Sequence, residues 1–95
     1  MKVILSDRAK FQFKESVHFY EKRKVGLGVK LTKSVNRKLQ FVAANPLSSE
    51  IKYDTVRVTY IKHFPFAIHY LYIEEQSVIF VSAIFHTSQN PDQLR

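Results

Sequence analysis

The stretch from Phe64 to His86, FPFAIHYLYIEEQSVIFVSAIFH, constrains the fold of this chain more than any other. Two runs rich in β-branched and aromatic residues flank the polar Glu74 to Ser77, the pattern of an antiparallel hairpin. Whether the turn is Glu75-Gln76 alone or all four residues from Glu74 to Ser77, Ile73 pairs with Val78, so one register follows. Paired residues share a face and neighbours alternate, which puts Phe66, Ile68, Tyr70, Tyr72, Ile79, Val81, Ala83 and Phe85 on one side. That side is apolar or aromatic throughout and reads as core. The other side carries Ala67, His69, Leu71, Ile73, Val78, Phe80, Ser82, Ile84 and His86, apolar near the turn and polar at the far end.

Upstream of the hairpin the pattern changes. Lys2 to Ser6 is a short β-branched run that fits an edge strand, and Ser6 or Asp7 then offers an oxygen to cap a helix. From Ala9 to about Lys24, Phe13, Val17 and Tyr20 recur at helical spacing, with Phe11 and Phe19 at the margin of the stripe. Both glycines of the chain lie in Val25-Gly26-Leu27-Gly28, where the direction should reverse. A second stripe, Leu27, Leu31, Val35, Leu39 and Val42, ends at Asn45-Pro46, because proline disfavours a helical residue before it. Ile51 to Lys62 alternates as a half-buried strand that turns near Lys62 to Pro65 into the hairpin.

The sum is an α+β fold: an N-terminal strand, then an antiparallel two-helix hairpin packed on one face of a three- to four-stranded antiparallel sheet. At 95 residues it makes one domain, residues 1–95, with the tail from 87 to 95 loosely packed. No apolar run reaches the length of a membrane helix and none at the N-terminus resembles a signal peptide, so a soluble, cytoplasmic chain is expected, with no membrane partner. There is no cysteine, hence no disulfide, and the four histidines lack metal-ligand spacing. Neither metal nor cofactor is expected.

Charge and exposed apolar surface point to partners. The formal charge is +7, and residues 1–38 hold eleven of the fifteen Lys and Arg against three acids, a net of +8. Lys30, Lys33 and Arg37, with Lys38 nearby, line one surface of the second helix, where they suit phosphates, acidic side chains or simply water. On the open side of the sheet Leu71, Ile73, Val78, Phe80 and Ile84 form an apolar patch of the kind that monomers seldom leave bare. A second polypeptide is the expected cover, and the chain's own tail or first strand the alternative. If Val56, Val58 and Tyr60 join the core, Arg57 lies on this open side with His69 and His86.

Several pieces, taken in order and spacing, resemble the RelE/ParE superfamily of bacterial toxins, and its ParE branch more than its RelE branch. They are Tyr20 followed by Gly26-Leu27-Gly28, the helix end at Leu39 to Asn45-Pro46, Val56-Arg57, Phe64-Pro65-Phe66 with Ile68 and Tyr70, and Ala83-Ile84-Phe85-His86 before Asn90-Pro91. The resemblance implies a toxin of a type II toxin–antitoxin module, held inactive by an acidic antitoxin that folds on binding. It implies one of two targets: DNA gyrase, which ParE-like members poison, or the ribosome, where RelE-like members cut mRNA. A metal-independent nuclease would use Arg57 on the phosphate and His86, or His69, as acid or base. Ala67 and Thr87 depart from the arginine and tyrosine of nuclease members, and Gln89 from the arginine of ParE-like relatives. The readings carried forward are therefore a gyrase-directed toxin, an endoribonuclease, and a relic that only binds its antitoxin.

Overall fold

The structure, a computed structural model, describes residues 1–88. The chain runs β1 (Lys2–Leu5), α1 (Asp7–Arg23), α2 (Leu27–Ala44), β2 (Ile51–Tyr53), β3 (Val56–Tyr60), β4 (Phe66–Ile73), a 3-10 turn (Glu74–Gln76) and β5 (Val78–His86). The reading of the tail as loosely packed concerns mainly residues 89–95, which lie outside the described residues. These elements make one sheet in the order β1-β5-β4-β3-β2, five strands rather than three or four, with the helices on one side. β1 lies at the edge as expected and runs parallel to β5, while the other pairs are antiparallel.

Two helix ends show why the helical hairpin forms. Ser6 caps α1: its hydroxyl accepts from the Ala9 N–H at 3.0 Å and donates to the Ser82 carbonyl at 3.0 Å, joining the helix start to β5. At the reversal Gly26 has φ +95°, a left-handed conformation that costs a residue with a Cβ. Glu21 reaches across from α1, its carboxylate accepting from the N–H of Gly26 at 3.1 Å and of Gly28 at 3.0 Å. That pairing satisfies donors left open at the start of α2 and sets a negative charge against its positive end. Gly28 is a point of close approach, since a Cβ there would lie 3.0 Å from both Glu21 Oε1 and the Val17 carbonyl oxygen.

The helical stripes face the sheet as read from their spacing. Leu31, Val35, Leu39 and Val42 of α2 are buried against Ile68, Tyr70, Ile79 and Val81, with Phe13, Val17 and Tyr20 of α1 packed alongside. Burying each large side chain of this kind contributes about 1.5–3 kcal/mol. Tyr70 is fully buried, and its hydroxyl donates to the Pro46 carbonyl at 3.0 Å, which ties the loop after α2 to the sheet.

Three expectations need correction. The alternation across Ile51 to Lys62 belongs to two strands, because Asp54 adopts φ +50° and turns the chain back on itself. The β4–β5 register holds from Ile73–Val78 to Tyr70–Val81 and then slips by one residue at Ser82, so His69 pairs with Ala83 and Phe66 with His86. This bulge flips every later side chain of β5: Ala83 and Phe85 join His69 on the open side, and Ile84 and His86 turn toward the helices. In β3, Val58 pairs with His69 and Tyr60 with Ala67, so Val56, Val58 and Tyr60 face the open side. Arg57, opposite Tyr70, faces the helical side.

Substitution of the two glycines separates their roles. Gly28→Ala should cost roughly 1–3 kcal/mol through overpacking, and Gly26→Ala about 1 kcal/mol through backbone strain alone, both read from urea denaturation. Negligible losses in both would mean that the helical hairpin does not close as described.

Candidate functional site

The open side of the sheet carries the apolar residues that the sequence assigns to a partner. Leu71 pairs with Phe80 and Ile73 with Val78, and all four point away from the helices, as their core-facing neighbours Tyr70, Tyr72, Ile79 and Val81 require. Leu71, Ile73 and Phe80 are half-buried and Val78 is buried among its neighbours. β1 extends this surface, since its Ile4, 37% exposed, sits beside Phe80 in the parallel register. At the other margin Tyr60 is 54% exposed. Ile84 does not belong to the patch: the slip at Ser82 buries it in the core at 1% exposure.

The centre of the open side is closed by a polar cluster. His69 is 3% exposed, stacks on Phe85 at 4.5 Å between ring centroids, and shares a 2.6 Å hydrogen bond between its Nδ1 and the Tyr53 hydroxyl. Arg8 reaches the same region, its Nε donating to the Ser82 carbonyl at 3.2 Å, and Ser82 Oγ donates to the His69 carbonyl at 3.3 Å. Burial pulls the His69 imidazole down from 6.5 to about 4, and the Arg8 guanidinium pushes the same way. His69 is therefore neutral at pH 7 and held in the sheet.

The three candidate catalytic side chains do not converge. Arg57 faces the helical side and donates from Nη1 to the Ser49 carbonyl at 2.6 Å, in the loop after α2. His86 also faces the helices, packs edge-on to Phe66 at 5.5 Å, and lines an open groove with Phe11, Glu15 and Phe19 of α1. Its Nδ1 accepts from the Ser88 N–H at 3.1 Å, the arrangement of a strand-end residue that orients the chain beyond it. His69 lies on the opposite face from both. Among the described residues no group of three or more His, Asp or Glu is placed to hold a metal, and no helix is long and apolar enough to cross a membrane.

Lys30, Lys33 and Arg37 are exposed along α2, as the stripe predicts. Sequence reasoning missed the contributions of Ile4, Tyr53 and Arg8. The signal for Tyr53 was present in Asp54-Thr55, a turn dipeptide that folds β2 onto β3. Nothing local places Arg8 near His69; the crossing of α1 and β5 brings its Nε to the Ser82 carbonyl.

Comparison with known proteins places the fold. The family model described as the ParE toxin of the type II toxin–antitoxin system parDE matches residues 3–91. The chain belongs to the ParE toxin family. Among solved structures it is similar to the chromosomal ParDE toxin–antitoxin system from P. aeruginosa, with TM-score 0.78 at 13% identity, covering 93% of this chain and 97% of that one. It is also similar to the intact E. coli RelBE toxin–antitoxin complex, with TM-score 0.67 at 18% identity over 93% and 98% of the two chains. The isolated E. coli RelE toxin gives TM-score 0.65 at 17% identity over 97% and 89%. No curated protein matches the sequence. This ParE family chain thus shares the two-helix, one-sheet architecture of both branches.

The neutral His69 gives a pH signature. Its folded-state affinity for a proton is lower than in the unfolded chain, so its stabilising contribution is complete above about pH 6.5 and is lost as pH falls toward 4. Between pH 7.5 and 5.0 the loss from this group amounts to about 2 kcal/mol. Urea denaturation of the parent and of His69→Gln at both pH values measures it: the pH-dependent loss should shrink by about that amount in the variant. An unchanged loss would mean that His69 titrates as it does in solution.

Proposed function

We propose that this chain acts as the toxin of a type II module by obstructing DNA gyrase, and that an acidic antitoxin neutralises it by covering the open face of the sheet. The observation that carries the binding reading over the nuclease reading is the scatter of Arg57, His69 and His86. Cleavage of RNA without a metal needs an acid, a base and a phosphate-binding cation within reach of one ribose phosphate. Here His69 is buried behind Tyr53, and Arg57 and His86 lie on the other face of the sheet. A toxin that works by occupying its target needs only a rigid surface.

The antitoxin assignment rests on the patch formed by Ile4, Leu71, Ile73 and Phe80, on the charge of +7, and on family membership. An acidic, amphipathic segment suits this combination, because apolar side chains supply the buried contact and opposite charge speeds and orients the encounter. The solved ParDE and RelBE structures are toxin–antitoxin assemblies with the same fold, and this chain is proposed to assemble likewise.

Controlled expression in bacteria tests the target. Growth arrest with broken DNA and an SOS response is expected, and purified protein should inhibit gyrase supercoiling; Arg57→Ala and His86→Ala should leave both effects intact. Rapid loss of translation with A-site cuts that either substitution abolishes would establish the nuclease instead, and no arrest at all would leave a binder only. For the antitoxin, Leu71→Glu and Phe80→Glu should each weaken binding of the cognate antitoxin by roughly tenfold or more. Calorimetry showing unchanged affinity in both would place the antitoxin elsewhere.

A further inference from the structure

A groove between α2 and the β3–β4 turn is lined by Leu27, Lys30, Lys33, Ser34, Arg37, His63 and Phe64 and encloses about 540 Å³. We infer that this groove binds the phosphate backbone of duplex DNA, giving the chain a DNA-contacting surface separate from the open face of the sheet. The inference goes beyond the gyrase and antitoxin readings and does not depend on either.

Charge is the first ground. From Lys22 to Ser49 there are seven Lys and Arg and no Asp or Glu. Glu21, which precedes this stretch, accepts from the Gly26 and Gly28 N–H groups and does not line the groove. None of Lys30, Lys33 and Arg37 has an ion-pair partner among the described residues. Like charges gathered without compensation raise the local potential and concentrate anions.

Geometry is the second ground. Residues 30, 33 and 37 lie on one helical stripe spanning about 10 Å of axis, the rise over which one strand of duplex DNA carries about three phosphates. Across the groove, the turn is tied to α2 by Ser34, whose hydroxyl donates to the Lys62 carbonyl at 2.8 Å. That bond holds His63, at φ +72°, facing the three cations.

The same lining argues against other polyanions. Single-stranded nucleic acid is held by stacking on open aromatic faces. Phe64 instead packs edge-on to Tyr20 at 5.2 Å and is half-buried. RNA is distinguished through its 2′-hydroxyls, yet the groove's hydroxyl, Ser34, is engaged. An acidic peptide would need apolar anchor pockets, and the apolar lining consists of Leu27 and Phe64 alone, both half-buried.

Fluorescence anisotropy with a labelled 20-base-pair duplex of arbitrary sequence, titrated with the full chain at several salt concentrations, tests the inference. Replacing Lys30, Lys33 and Arg37 together by Ala should reduce the steepness of log Kobs against log salt by about 2.7, and Lys33→Ala alone by about 0.9. Lys30→Arg with Lys33→Arg should retain the slope. Replacing Lys2, Lys10 and Lys14 by Ala removes the same charge from elsewhere and should change the slope by less than the single Lys33 substitution. The inference is overturned if the two triple variants behave alike, or if a 20-nucleotide single-stranded RNA or a Glu-rich 20-residue peptide competes better than unlabelled duplex. The groove triple variant should lose less antitoxin affinity than Leu71→Glu or Phe80→Glu, which keeps the outcome distinct from any failure of the antitoxin reading.

Discussion

The one-residue slip at Ser82 decides which side chains of the last strand meet the helices and which face outward. It sits where β1 ends and α1 begins, and it is held from both sides. The Ser6 N–H donates to the Val81 carbonyl at 2.9 Å, the Ser6 hydroxyl and Arg8 Nε donate to the Ser82 carbonyl, and the Ile84 N–H donates to Gln12 Oε1 at 2.8 Å. Side chains of α1 thus take up backbone groups of β5 that β1 is too short to reach. Without these partners the buried polar groups of a half-paired strand would be costly.

The consequences run to both faces. Beyond the slip, Ile84 fills the core and His86 approaches α1, while Ala83 and Phe85 pack beneath His69. Before it, Leu71, Ile73, Val78 and Phe80 keep the orientation set by the Glu74 to Ser77 turn, where Ser77 takes φ +52°. The open side is therefore divided. One end is apolar and available; the other is closed by the Tyr53–His69 bond.

Much of this was legible in the residues. The helical stripes, the Ser6 cap, the Gly26 reversal, the Ile73–Val78 register and the outward direction of the Leu71 to Phe80 patch all follow from local chemistry and from periods of 3.6 and 2. What could not be read was non-local. A bulge is specified by groups that arrive from β1 and α1, more than seventy residues away, so strict alternation placed Ile84 and His86 on the wrong face, while Arg57 was misplaced because the β3–β4 register is set by a non-local pairing. The burial of His69 depends likewise on Tyr53 from a strand merged with its neighbour in the sequence reading. The basic stripe was visible, but the arrival of His63 opposite it needed the β3–β4 turn in place.

The central claim is that the unsealed face of the sheet, and not the helical side, receives the antitoxin. Hydroxyl-radical footprinting of the free chain and of its complex with the antitoxin measures this side chain by side chain. Labelling of Leu71, Ile73 and Phe80 should fall sharply in the complex, while that of Phe11 and Phe19 on α1 stays as in the free chain. Protection confined to α1 and α2, with the three sheet residues still labelled at the free rate, would contradict it.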